Sequence, residues 1–195
     1  MIPLKDTVIE SMNTLLWAQA RLVKHGDMED VYCHLVQFDN HVPANDKAHT
    51  HYGYDGYEVL VNMETLDWYE LPDLSSYQPR GMTALYDSLN RFIDEVGARL
   101  SEMKEEDRPG TVTLFINTDG MDNDSHYCTV EALKEKIRHQ EEKYAWKFIF
   151  MSSSLEAANQ ARTAIGITDT VSYSPQDTAR TFETLSKTIT RSYLA

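Results

Sequence analysis

Thr111-Val-Thr-Leu-Phe-Ile116 is β-branched or aromatic at most positions and carries no polar face, so it reads as a strand buried on both sides. A strand that needs cover on two faces points to a layered α/β protein. Pro109-Gly110 stops whatever precedes it. At its carboxyl end Asn117-Thr118-Asp119-Gly120 supplies short polar side chains and a flexible glycine, at the place where open α/β sheets bind ligands. Asp119, Asp122, Asp124 and Ser125 then crowd one loop with hard oxygen donors, which suit Mg²⁺ or Ca²⁺. The same residues also suit a solvated Asp-Gly turn and a helix cap.

The remaining segments alternate in the same way. Leu4, Val8, Met12, Leu15, Leu16 and Leu22-Val23 recur at helical spacing, with Pro3 in a first turn, and predict a helix from Met1 to Lys24 ended by Gly26. Val31 to Asp39 predicts a strand with Tyr32, His34, Val36 and Phe38 on one side and Cys33, Leu35 and Gln37 on the other. His34, inside this run, reads as a sheet histidine. Asn40 to Gly56 reads as a surface loop or extended hairpin, in which His49-Thr-His51 has no cysteine or glutamate at zinc-site spacing. Tyr57 to Val61 predicts a short strand, and Glu64 to Tyr77 a loop.

Gln78-Pro-Arg-Gly81 opens a helix that runs to Met103, with Leu85, Leu89, Phe92, Ile93, Val96 and Leu100 on its apolar face. After the acidic loop, Thr129 caps a helix from Val130 to Lys143 that buries Leu133 and Ile137. Trp146 to Met151 is a second buried strand, Leu155 to Ile165 a helix closed by Gly166, and Val171 to Tyr173 a last short strand. A final helix from Ser174-Pro175 to Tyr193 turns Phe182, Leu185 and Ile189 inward. Strands alternating with helices of these lengths predict one α/β domain over residues 1–195, a doubly wound, mainly parallel sheet with helices on both faces.

Thirty-one acidic against eighteen basic residues give a net charge of −13, which opposes binding to nucleic acid or to an anionic membrane. No apolar run approaches the ~20 residues of a membrane span, and no basic start followed by an apolar block marks a leader. Cytoplasmic localisation is therefore expected. Cys33 and Cys128 form no closely spaced framework and are expected to be free thiols.

Two loops carry a resemblance. Gly81-Met-Thr83-Ala-Leu85, before the long helix, and Thr118-Asp119-Gly120 followed by Asn123 and Ser125 resemble the second and third metal-site loops of von Willebrand factor A (VWA) domains. Trp146-Lys-Phe-Ile-Phe150, Ala157-Ala-Asn159, Ile165-Gly-Ile167 and the Ser-Pro start of the last helix look like the small VWA proteins of bacteria and phages. The resemblance implies a Rossmann-like doubly wound fold whose top binds a divalent cation at a metal-ion-dependent adhesion site. It implies Thr83 and Asp119 as metal ligands, with Asp122, Asn123, Asp124 and Ser125 shaping the rim. It implies no catalysis: the metal, Mg²⁺ or else Mn²⁺ or Ca²⁺, completes its coordination with an acidic side chain of a protein partner.

The sequence departs from the family at its start. VWA domains begin with an apolar central strand ending in Asp-x-Ser-x-Ser, and this chain has neither the strand nor the motif. Met1 stands where the Met of the longer motif would be, so the chain is expected to begin inside an ancestral reading frame. Without the central strand its neighbours expose sheet edges, which implies self-association, and the site keeps two protein ligands, which implies weak metal occupancy. Two other functions fit the same residues: a metal-dependent phosphate-ester hydrolase with His126 as general base, and a metal-independent structural or assembly protein.

Overall fold

The computed structural model describes residues 5–26, 30–39, 56–78, 81–173, 177, 180–185 and 187. In chain order the elements are α1 (Lys5–Lys24), β1 (Tyr32–Phe38), β2 (Tyr57–Thr65), α2 (Leu85–Glu102), β3 (Thr113–Asn117), α3 (Val130–Tyr144), β4 (Lys147–Ser152), α4 (Leu155–Gln160) and β5 (Asp169–Ser172). Residues 180–185 and 187 are helical, within the span expected for the last helix. His49 and His51 lie outside the described residues, as does Ile189.

The protein is mixed α/β with two sheets, a β1–β2 pair and a β3–β4–β5 trio. The trio is parallel, Thr113 to Asn117 of β3 pairing with Lys147 to Met151 of β4, and Ile149 to Ser152 with Asp169 to Ser172 of β5. Backbone bonds from Asp39 N–H to the Gly56 carbonyl and from Leu66 N–H to the Val31 carbonyl run β1 and β2 in opposite directions. The chain divides into two compact units, one of residues 1–37, 59–79 and 174–195, the other of residues 38–58 and 80–173.

In the first unit α1 lays Leu16 and Ala20 on Leu66 and Leu74, with Ile9, Met12, Val31, Cys33, Leu35 and Leu71 packed around them. Cys33 and Leu35 thus share a core-facing side of β1, as alternation requires. Burial, and secondly the charge of Glu64, push the Cys33 thiol up to about 12, and both cysteines are free. Gln37, also buried on that strand, accepts the Gln78 N–H on its Oε1 at 3.0 Å.

A second buried stripe on α1 is less well matched. Ser11 and Gln19 are buried, yet Ser11 Oγ and both polar atoms of Gln19 lack hydrogen-bond partners among the described residues. A buried unpaired amide costs on the order of 1–3 kcal/mol. Gln19→Met, which keeps the volume and removes the polar atoms, should therefore raise stability by about 1–2 kcal/mol in urea denaturation. A loss of stability would mean that the amide has a partner.

The second unit is built on the parallel trio. Leu114, Ile116, Phe148, Phe150 and Met151 are buried in its strands, α2 contributes Leu85, Leu89, Ile93, Val96 and Leu100, and α3 contributes Leu133 and Ile137. The α2 positions step by four, four, three and four, the helical stripe read from the sequence. Asp94 of α2 holds Lys136 of α3 at 2.6 Å. Tyr57 is clamped to α2 as well, its hydroxyl donating to Glu95 Oε2 at 2.8 Å while Arg91 lies 4.1 Å from its ring centre.

The strand expected over 171–173 runs from Asp169 to Ser172, and three boundaries differ from expectation by more. β2 continues to Thr65 although Asn62, Glu64 and Thr65 are exposed, and Met63 within it takes a left-handed φ of 55°. α2 begins at Leu85 and not at Gln78, because its first turn is capped from another part of the chain. The helix expected over 155–165 is α-helical only to Gln160 and finishes as a π-turn from Ala161 to Ile165, closed by Gly166 at φ 83°.

Candidate functional site

Parallel strands present their carboxyl ends on one side, and here those ends are Asn117, Ser152 and Ser172. The loop 118–129 leaves β3 there, and the Gly81–Ala84 segment meets it. Thr83 N–H donates to Asn123 Oδ1 at 2.7 Å, and Asn123 N–H donates back to the Thr83 carbonyl at 3.0 Å. Gly120 completes the closure: a Cβ on it would lie 2.9 Å from Thr83 Oγ1. Only a glycine lets the loop approach that hydroxyl without displacing it. Thr83 therefore stands against the residue that follows Asp119, and Asp119 itself is exposed.

The next residues of the loop are spent on α2. Its N-terminal residue Ala84 offers no side-chain cap, which leaves the first amides of the helix in need of acceptors. Ser125 Oγ accepts from Tyr86 N–H at 3.0 Å and from Asp87 N–H at 3.1 Å, and Asp122 Oδ1 accepts from Tyr86 N–H at 3.1 Å. The Ser125 hydroxyl proton goes to Asp122 Oδ1, 2.5 Å away. Asp122 also places negative charge at the positive end of the helix dipole. The cap that Thr83 could have supplied locally is thus supplied by Asp122 and Ser125.

The exchange runs both ways. Asp87, in the first turn of α2, accepts three successive amides of the loop: His126 N–H at 2.7 Å, Tyr127 N–H at 3.0 Å and Cys128 N–H at 2.7 Å. Thr129 then caps α3 by accepting Ala132 N–H at 3.2 Å, as its sequence position predicted. Asp87 was not among the residues singled out from the sequence. An acidic residue in a first helical turn signals favourable dipole placement, but nothing local signals a bond to a loop about forty residues on.

Most of the charges that act on the titratable groups at this end of the sheet are negative, with Lys136 opposing them at Cys128. Burial raises the Tyr173 phenol, with Asp119 adding to the rise, and its hydroxyl donates to Asn117 Oδ1 at 2.9 Å. Burial and Asp122 raise Tyr86, and burial and Asp87 raise the Cys128 thiol. Asp124, its side chain 12% exposed, has His126 Nε2 at 3.5 Å from Oδ1.

For a cation the donors divide clearly. Asp122, Asn123 and Ser125 are engaged in capping and loop closure, while the Thr83 hydroxyl and the Asp119 carboxylate carry the hard oxygens suited to Mg²⁺. Among the described residues no group of three or more His, Cys, Asp or Glu side chains is gathered as a metal cluster. Two such oxygens fit the chemistry of Mg²⁺ but fall short of its full shell of about six, so an ion held there would need other donors to complete it. No family model matches the chain, and no curated protein or solved structure is significantly similar to it.

Proposed function

We propose that this chain is a non-enzymatic protein-interaction module of the VWA type, carrying a partial metal-ion-dependent adhesion site at Thr83 and Asp119. The observation that carries the reading is the closure of the Gly81–Ala84 loop on the Thr118–Ser125 loop by the Thr83–Asn123 pair and by Gly120. It gives the two loops of the sequence resemblance a common place at the carboxyl end of β3.

In this reading Mg²⁺, with Mn²⁺ or Ca²⁺ as substitutes, is held by Thr83 and Asp119 and otherwise by water, and is weakly bound. A carboxylate from a partner protein replaces one of the waters. Sheet edges that have no partner strand among the described residues would give a second means of association, between copies of the chain. The net charge of −13 disfavours nucleic acid and anionic membrane surfaces as partners, and among the described residues no helix is long and apolar enough to cross a bilayer.

Titration with Mn²⁺ followed by electron paramagnetic resonance tests the site. Native protein should bind one ion with a millimolar or high-micromolar Kd, and Asp119→Ala should weaken binding at least tenfold while the far-ultraviolet spectrum stays unchanged. Mn²⁺ binding that ignores the substitution removes Asp119 from the site. The complete absence of binding leaves the metal-independent scaffold as the function, and turnover of p-nitrophenyl phosphate would instead identify a hydrolase.

A further inference from the structure

The first unit carries a surface of a different kind. Trp17, Arg21 and Lys24 follow one another at four and three residues on α1, which stacks them on one exposed face. Trp68 and Tyr69, in the turn after β2, lie against that face. The two indoles meet edge to face with ring centres 4.6 Å apart, and Asp67 Oδ1 fixes the turn by accepting Tyr69 N–H at 2.8 Å. Lys24 Nζ sits 4.2 Å from the Trp68 ring centre and 5.7 Å from that of Tyr69, and the Arg21 guanidinium is 5.9 Å from Trp68. Trp17 is 41% exposed and Tyr69 85%, so the rings are displayed and not used as core.

Two features make this more than a local tether. In a chain with thirty-one acidic residues, Arg21 and Lys24 are held on aromatic rings and form no ion pair with a carboxylate among the described residues. Their remaining N–H donors are therefore available to an incoming anion. Trp, Tyr and Arg together are also the residues most enriched where binding energy concentrates in protein interfaces.

We propose that Trp17, Arg21, Lys24, Trp68 and Tyr69 form a docking surface for an acidic segment of a partner protein, with a carboxylate on the two cations and an apolar or aromatic side chain on the rings. The size suits a short segment: three rings and two cations make a hot-spot cluster, well short of the ~800 Å² per partner of a stable globular interface. Charge favours a peptide over a nucleic-acid strand. A strand carries a phosphate at every step and would extend past two cations into the field of a protein of charge −13, whereas a peptide need present only one or two carboxylates. The surface is independent of the cation site, and neither requires the other.

The test uses the full chain and an array of nonapeptides, each with three carboxylates and one Trp, Tyr or Phe. A matched array has Asn and Gln in place of the carboxylates, and a labelled dT15 oligonucleotide serves as the nucleic-acid probe. Native protein should be captured by members of the acidic array, with salt-sensitive Kd values of tens of micromolar by fluorescence anisotropy, and by the amide array at least tenfold less. Arg21→Gln/Lys24→Gln, two exposed changes that leave the core alone, should weaken capture roughly tenfold with an unchanged far-ultraviolet spectrum. Trp68→Ala should weaken it as well. Absence of capture, equal capture by the amide array, capture that survives the double substitution, or tighter binding of dT15 would each overturn the proposal.

Discussion

Asp87→Ala is expected to lower the stability of the second unit by about 2–3 kcal/mol, the cost of losing charge-assisted acceptors for three consecutive amides. The loss is not larger because the His126 and Tyr127 amides are close to water and can be rehydrated, while the Cys128 amide is partly buried. For a chain of this size that corresponds to a fall in melting temperature of roughly 4–12 °C. Asp87→Asn keeps one carbonyl acceptor and should lose about half as much. A calorimetric scan compares the three proteins, and an alanine variant that melts with the native protein would show that the loop 126–128 is held by other means.

The second large effect is expected at Gly120. Its substitution by alanine sets a methyl group 2.9 Å from Thr83 Oγ1, well inside contact distance, and relief requires the threonine to change rotamer or the two loops to part. Overpacking of this kind costs about 1–3 kcal/mol. The cause can be isolated with Thr83→Ala. Once the hydroxyl is gone, the nearest atom left on that residue is Cβ, 3.8 Å from the new methyl, an ordinary contact. The double variant should therefore recover most of the loss produced by Gly120→Ala alone. Denaturation of the four proteins in urea measures the coupling, and strictly additive costs would mean that the clash is elsewhere.

The parts of the fold legible in the sequence are those whose cause is local. Leu133 and Ile137 were identifiable from helical spacing, and Thr129 from its position just before an apolar-periodic run, because a helix and its own cap lie within a few residues. The strands β3 and β4 were identifiable from their uninterrupted apolar runs, although β3 is fully buried on one face alone, at Leu114 and Ile116, with its other face half-buried. The start of α2 was not: Pro79 and Gly81 look like a helix opening, yet the acceptors for the first amides come from Asp122 and Ser125, thirty-six to thirty-nine residues away. The far half of β2 was hidden by its exposed polar residues, which carry no signature distinguishing an edge of a sheet from a loop. At the candidate site the sequence singled out the loop after β3 and its hard oxygens. It could not apportion them, since Asp122 and Asp119 are equally good ligands until one of them is seen to be occupied by backbone amides.

The mutual capping of α2 and the loop after β3 also sets an order of events at this end of the sheet. The helix terminus is engaged by Asp122, and the three amides at 126–128 are engaged by Asp87, so two positions where backbone N–H groups could have welcomed a negative group are already filled from within. What faces outward is carboxylate. If the proposed adhesion site operates, an acidic partner arriving alone would meet repulsion, and a cation arriving first would reverse the sign and give it a place to bind. On that proposal metal would precede partner, and removal of the metal from the assembled complex would release both together.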